Sequence, residues 1–599
     1  MADLTRRQMR NVGLLQALSP VMDVARDARW GRVHETYGED PYLVSAMSVA
    51  FTKGLQGADL RDGVIATAKH FLGYAMTEGG QNMAATQATA RELREVYARP
   101  FAAAIGLAGL ASIMNSYSEV DGIPVGASKE ILTGLLRDEL GFEGTVVSDY
   151  QTVAMLHSRQ SVARDYAEAG ALALAAGLDV ELPAVVGYGS LLADQVRAGA
   201  VAEEVLDTAV RRVLRDKLAL GLFERPYVDE DPIVLTETAR QGVDLAHQLA
   251  SESLTLLKND GPILPLSTQV RRIAIVGPHA DEVGFAFPGY TYPVALAMLG
   301  GIAAIGGRGG WFFGANTEGE GSDSADIELP RMQRALLDAL AATGTPVVGV
   351  LSTGRPMALA ESLPALSALM HAYYSGQQGT RAVAQALFGI TNPGGKLPYS
   401  MPRHSGQVPI YAGQHNGSGY RRTASDMHKG YRDLPATPLF AFGHGLSYTS
   451  FVYSGLTLSG TAVESTGSIE ISVAIENTGT VTGDEVVQLY VSDTATGLVR
   501  PAQELAGFRR VTLAPGEVKT VTFSVQMDQL GYLGTRPHRL RHRAGTHRRT
   551  CRVRFRRHPC TRKLRGRGSD GPARWEALVP VGVEGAVMRR RSGIHGVDG

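Results

Sequence analysis

Short apolar runs and longer amphipathic runs alternate through the first 225 residues. The runs Gly63–Phe71 (GVIATAKHF), Leu110–Tyr117 (LASIMNSY), Gly144–Tyr150 (GTVVSDY) and Gly177–Leu182 (GLDVEL) have the length and content of buried strands. Between them the period lengthens to that of helices: Thr89–Ile105, opened by a capping pair of Thr89 and Glu92, then Ser128–Leu140 and Glu203–Leu220, stopped by Gly141 and Gly221. Repeated strand–helix alternation predicts a parallel sheet, and this many units predict a (β/α) barrel.

A polar, Pro-containing stretch, Phe223–Asp231, then breaks the pattern. Beyond it the sequence predicts a helix over Thr236–Leu257, buried parallel strands at Arg272–Val276 (RIAIV) and Pro346–Leu351, and a helix over Ala372–Leu387, which together make a second α/β layer. From Ser468 the period drops to two. Ile469, Ile471, Val473 and Ile475 alternate with polar residues, and Val487–Val491 and Val518–Val525 repeat the alternation around the Pro515-Gly516 turn. That is the signature of a small antiparallel β-sandwich of fibronectin type. The expected domains are 1–225 (barrel), 226–249 (linker and connecting helix), 250–410 (α/β sandwich), 411–450 (loop-rich connection), 451–534 (fibronectin type III-like) and 535–599 (a disordered tail). The fold class is multidomain α/β plus all-β.

Charge changes this picture at one end. The 599 residues balance 59 Lys+Arg against 59 Asp+Glu, but residues 535–599 hold 18 basic and four acidic side chains. The tail is therefore +14 and the body −14. Both cysteines, Cys551 and Cys560, lie in the tail, so a disulfide-rich scaffold is excluded. No apolar run has the roughly 18–20 residues of a membrane-spanning helix, and the start lacks the apolar core of a signal peptide. As written, the chain reads as cytoplasmic. The tail has no apolar period and no interleaved aromatics. An out-of-frame end is expected over a nucleic-acid-binding one, and nucleic acid is not an expected partner.

Several residues invite chemistry. Asp149 closes the apolar strand VVSDY, where position alone leaves a helix cap and a barrel carboxylate equally open. Lys69 and His70 close another strand, and two adjacent polar side chains there suit either solvent or sugar hydroxyls. Arg29, Trp30, Arg32, Glu35, Glu39 and Asp40 form a dense cluster that fits a salt-bridge network or a sugar site. The Gly-rich acidic loop Gly314–Asp323 is either a mobile surface loop or the carrier of a general acid; it lacks the spacing of a calcium loop. The His and Cys residues of the tail match no zinc spacing, and no metal or cofactor is expected.

Taken together, SPVMDVARDARWGRVHETYGEDPYL, ATAKHFLGY, GFEGTVVSDY, LKNDGPILPL, TEGEGSDSADIELP, NPGGKLPYSMPR and PLFAFGHGLSYTSF resemble glycoside hydrolase family 3, in that family's order from about residue 18 to residue 534. The resemblance implies a retaining exo-β-glycosidase that releases terminal β-linked glucose or xylose from oligosaccharides and glycosides. It implies Asp149 as nucleophile and Glu320 as acid/base, with Glu318 as rival. Arg32, Lys69, His70 and Tyr117 would bind the terminal sugar. Retaining enzymes hold the two carboxyl groups about 5–5.5 Å apart. The Gly-His-Gly run of the family's N-acetylglucosaminidases is replaced here by KHFLGYAMTEGGQN, which sets that branch aside. Against the family pattern the chain starts past the first barrel strands, its second domain is short after Phe287–Gly301, and its tail is foreign. These departures motivate one alternative, an inactive truncated relative that at best binds sugar.

Overall fold

The computed structural model describes residues 1–261, 263–281, 286–291, 318–415, 417, 420, 430–460, 463–464, 466–493, 498–533, 540–541 and 551–555. The chain divides into two compact units, Met1–Ala246 with Thr317–Ala325, and His247–Asn316 with Asp326–Gly599.

In the first unit four strands run parallel in the order Gln16–Ala17, Ile65–Phe71, Ser112–Asn115, Thr145–Val147. Val180 extends this row by a single parallel bridge to Val147, so Gly177–Leu182 contributes one bridge where a whole strand was expected. Among the described residues the sheet is an open arc rather than a closed barrel. Ile65–Phe71, Ser112–Asn115 and Thr145–Val147 are buried on both faces, which is why they read as unbroken apolar runs, while the edge strand Gln16–Ala17 is partly exposed. Met22, Ala66, Ala68, Ile113, Val146 and Leu178 share one core with the covering helices. Two of these helices show the local chemistry that sets their ends. Pro41–Gln56 opens on Asp40, whose carboxylate accepts the N–H groups of Tyr42 (2.8 Å) and Leu43 (3.0 Å), and closes at Gly57. Asp40 is thus a helix cap and leaves the candidate sugar cluster. The segment expected as one helix over Thr89–Ile105 is Ala90–Glu92, a π-helical turn Leu93–Tyr97 and Arg99–Ala108. Thr89 Oγ1 accepts the Glu92 N–H as expected. Glu130–Glu139 and Glu203–Ala219 fall inside their expected spans.

The expected helix Thr236–Leu257, whose span runs from the first unit into the second, is corrected. Pro232–Arg240 and Val243–Ser253 are separate helices, and Thr255–Asn259 is a strand. Gly242 interrupts the helix at φ +84°, and the apolar Thr255-Leu256-Leu257 run pairs antiparallel with Ala368–His371. Ala368–His371 in turn pairs in parallel with Val348–Leu351, completing a three-stranded sheet. Arg272–Val276 is not a buried strand: Ile273, Ile275 and Val276 are exposed, with no strand partner among the described residues. An apolar run of strand length forms a strand only where a neighbour supplies its hydrogen bonds. The helix expected over Ala372–Leu387 is Gly379–Leu387.

The β-sandwich is as expected. Phe451–Leu458, Ser468–Asn477 and Val518–Gln526 form one sheet, and Glu504–Leu513, Gly483–Asp493 and Cys551–Phe555 the other. Ile469, Ile471, Val473 and Ile475 meet Val487, Leu489 and Val491 in its core. The strand Cys551–Phe555 corrects the expectation that everything past Gly534 is disordered. Its backbone pairs antiparallel with Leu489–Asp493 and covers hydrogen-bonding groups that would otherwise form an open edge. Residues 556–599, with Cys560, and most of the region expected to be shortened after Phe287 lie outside the described residues.

Candidate active site

The parallel strands aim their C-terminal ends at one place. Lys69 and His70 end Ile65–Phe71, Asn115 ends the next strand and is followed by Ser116 and Tyr117, and Asp149 lies two residues past Val147. Asp23 joins them because Val21 bridges to Lys69. This is the end of a parallel (β/α) sheet at which catalytic side chains collect.

Asp149 is 8% exposed. Its own N–H donates to Asn115 Oδ1 (3.1 Å), and its Oδ1 accepts the N–H of Tyr150 (2.8 Å). Its Oδ2 has no hydrogen-bond partner among the described residues and lies 3.5 Å from His70 Nε2. Burial raises its pKa to about 6, against the lowering pull of Arg32 and Lys69. His70 is wholly buried and meets Asp23 Oδ2 through Nδ1 (2.8 Å) and its backbone N–H (3.1 Å). Burial, with the charges of Arg32 and Lys69, holds the imidazole neutral. Burial and the nearby Arg32 charge likewise lower the pKa of Lys69. Tyr117 donates its hydroxyl to the Tyr150 carbonyl (2.7 Å) and packs edge-on against Tyr74 at 5.9 Å, and the charge of Asp149 acts on it.

Arg32 organises the opposite wall. It is 1% exposed, clamps Glu35 through Nε (2.6 Å) and Nη2 (3.0 Å), and donates through Nη1 to Glu320 (3.2 Å). Its guanidinium also stands 5.6 Å over the Tyr74 ring. Burial would raise the pKa of Glu35, but the Arg32 charge and hydrogen bonds outweigh it and lower it. The loop bearing Glu320 is docked by backbone contacts. Gly319 N–H donates to the Gly31 carbonyl (2.9 Å), Ser324 N–H to the Arg29 carbonyl (2.9 Å), and Asp323 accepts the N–H groups of Gly31 (2.9 Å) and Asn82 (2.6 Å). A Cβ on Gly31 would stand 2.2 Å from the Gly319 carbonyl oxygen, so only glycine allows this approach.

The same loop separates the two candidate acids. Glu320 is 23% exposed and bonded to Arg32, and its charge acts on Asp149, Lys69, Tyr74 and Tyr117. Glu318 is buried, and its charge acts on His34. Asp149, Glu320, Arg32, Lys69, His70 and Tyr117 are thus brought within reach of one another, whereas Asp40 is a helix cap. Among the described residues, no group of three or more His, Cys, Asp or Glu side chains is arranged to hold a metal ion.

Comparison with known proteins identifies the architecture. Residues 1–215 match the glycosyl hydrolase family 3 N-terminal domain, 310–448 its C-terminal domain, and 485–550 a fibronectin type III-like domain. A β-xylosidase of Formosa agariphila is 38% identical, with 89% of this chain and 80% of that protein aligned. The chain belongs to glycosyl hydrolase family 3. A periplasmic β-glucosidase of Salmonella typhimurium is 33% identical over 87% of this chain and 76% of its own length. Among solved structures, a β-glucosidase from Erythrobacter marinus superposes with a TM-score of 0.82 at 31% identity, covering 96% of this chain and 83% of that one. The β-glucosidase of Listeria innocua in complex with isofagomine gives 0.77 at 26% identity, covering 98% and 86%. The fibronectin-like match runs to residue 550, into the segment that sequence alone placed outside the family fold.

Sequence reasoning missed Asp23, Tyr74, Asn82 and Asp323. Asp23 carried a usable signal, because a lone carboxylate within the apolar run PVMDVA is buried and must have a partner. Tyr74, Asn82 and Asp323 act through contacts between distant segments, which no local pattern reveals.

Proposed function

We propose that this chain is a retaining exo-β-glycosidase that hydrolyses terminal non-reducing β-linked glucose or xylose by double displacement. The observation that carries the reading is the pair Asp149 and Glu320, brought from distant segments to one buried, cation-lined pocket and within electrostatic reach of each other. Asp149, with Oδ2 unpartnered, attacks the anomeric carbon and forms a glycosyl-enzyme. Glu320 protonates the leaving oxygen and then takes a proton from the attacking water. Arg32 and Lys69 favour the ionised nucleophile. Arg32, Lys69, His70 and Tyr117 hold the sugar hydroxyls. Relatives named β-xylosidase and β-glucosidase support both substrates. Nothing observed favours the inactive alternative.

Release of nitrophenol from 4-nitrophenyl β-glucoside and β-xyloside tests the activity, with Asp149→Ala as control. Proton NMR of the first-formed sugar tests the stereochemistry. The expected results are turnover abolished in Asp149→Ala and a β-anomer that appears first. Turnover no greater than that of heat-killed protein, or an α-anomer appearing first, overturns the proposal.

A further inference from the structure

Asp23 is 4% exposed, and one of its oxygens serves His70 twice. Oδ2 accepts the His70 backbone N–H at 3.1 Å and lies 2.8 Å from the ring Nδ1. An oxygen already accepting a backbone N–H is a poor site for a carboxyl proton, so the ring proton belongs on Nδ1. The ring is neutral, which leaves a lone pair on Nε2. That atom points at Asp149 Oδ2, 3.5 Å away. Both atoms are buried and neither has a hydrogen-bond partner among the described residues. Two acceptors facing each other repel unless a proton lies between them or a ligand hydroxyl donates to them.

We propose that Asp23 is a positioning residue that locks His70 as the Nδ1–H tautomer, so that Nε2 and Asp149 Oδ2 form a pair of adjacent acceptors awaiting donated hydroxyl protons. This rests on reading the pocket as a glycosidase site and adds a direction to its hydrogen bonds: the sugar donates here. In the free protein Asp149 holds its proton more tightly, because the protonated carboxyl can donate to Nε2. The opposite tautomer would donate to Asp149, stabilise its carboxylate and blunt its attack. The other groups that act on this pair are Arg32, Lys69 and Glu320 by charge, Tyr117, whose hydroxyl also reaches Asp149, and Tyr74, edge-on to the His70 ring, while burial raises the pKa of Asp23 to about 7.

The test is the 15N spectrum of the full chain labelled at histidine, with His70→Gln used to assign the His70 signals. Wild type and Asp23→Asn, whose amide oxygen still accepts both N–H groups, are expected to show a protonated Nδ1 and an unprotonated Nε2. Asp23→Leu is expected to move the proton to Nε2, to lower kcat more than tenfold, and to shift the acidic limb of kcat/KM down by about one pH unit. A protonated Nε2 in wild type overturns the proposal without any variant. So does a folded Asp23→Leu that keeps both the tautomer and the limb. The spectrum does not depend on turnover, so failure of the glycosidase reading and failure of this one are told apart.

Discussion

At the residue scale, one carboxylate carries opposing demands. As the proposed nucleophile Asp149 must be ionised, yet burial raises its pKa to about 6. As pH falls below that value the ionised fraction drops, and kcat/KM should fall about tenfold per pH unit. A pH–rate profile flat down to pH 4 would contradict this. Stability should show the reverse. A carboxyl whose folded pKa lies above its unfolded value costs stability as pH rises from about 4 to 6, and the full cost persists above that. Asp149→Asn removes the cost. It should stabilise the first unit by about 1–3 kcal/mol at pH 7, the gain vanishing near pH 4. Thermal melts of the two proteins across that range check the prediction, and equal melting temperatures at pH 7 would refute it. In sequence, Asp149 could equally have been a cap. The unpartnered Oδ2 facing His70 argues for catalysis, whereas Asp40, from the same acidic cluster, is a cap.

At the element scale, the site depends on a loop seated by a glycine and an aspartate. Gly31→Ala places a methyl against the Gly319 carbonyl, and Asp323→Ala removes the acceptor for two backbone N–H groups. Either change should displace Glu320 while leaving Asp149 in place. Hydrolysis of a disaccharide, whose leaving group needs a proton, should drop at least ten times more than hydrolysis of 2,4-dinitrophenyl β-glucoside, which does not. Equal losses on both substrates would show that the loop does not deliver the acid. The strands of the parallel arc were legible because burial on both faces writes them as continuous apolar runs. The break at Gly242 and the state of Arg272–Val276, exposed and without a strand partner among the described residues, were not, because apolar content reports the wish for burial and not the presence of a neighbour.

At the scale of the molecule, the second unit joins its α/β layer to the β-sandwich through a buried ion pair. Lys396 Nζ meets Glu485 at 2.8 Å, the Gly445 carbonyl also accepts from Lys396 (3.0 Å), and Tyr453 donates to Glu485 (3.1 Å). Removing one partner strands a buried charge. Lys396→Met should therefore destabilise the second unit by about 3–5 kcal/mol, seen as an earlier transition in calorimetry. An unchanged scan would mean that the pair is dispensable. Sequence showed both layers but not this contact, which joins residues 89 positions apart. The division into an acidic body and a basic tail marks a real change in composition. It is not the edge of the fold, since Cys551–Phe555 completes a sheet.

The central claim is that Asp149 is the nucleophile of a retaining reaction. It is tested most directly by Asp149→Gly with 2,4-dinitrophenyl β-glucoside and azide. Azide entering the space left by the carboxylate should restore turnover and yield α-glucosyl azide. A β-glucosyl azide as sole product would contradict the assignment.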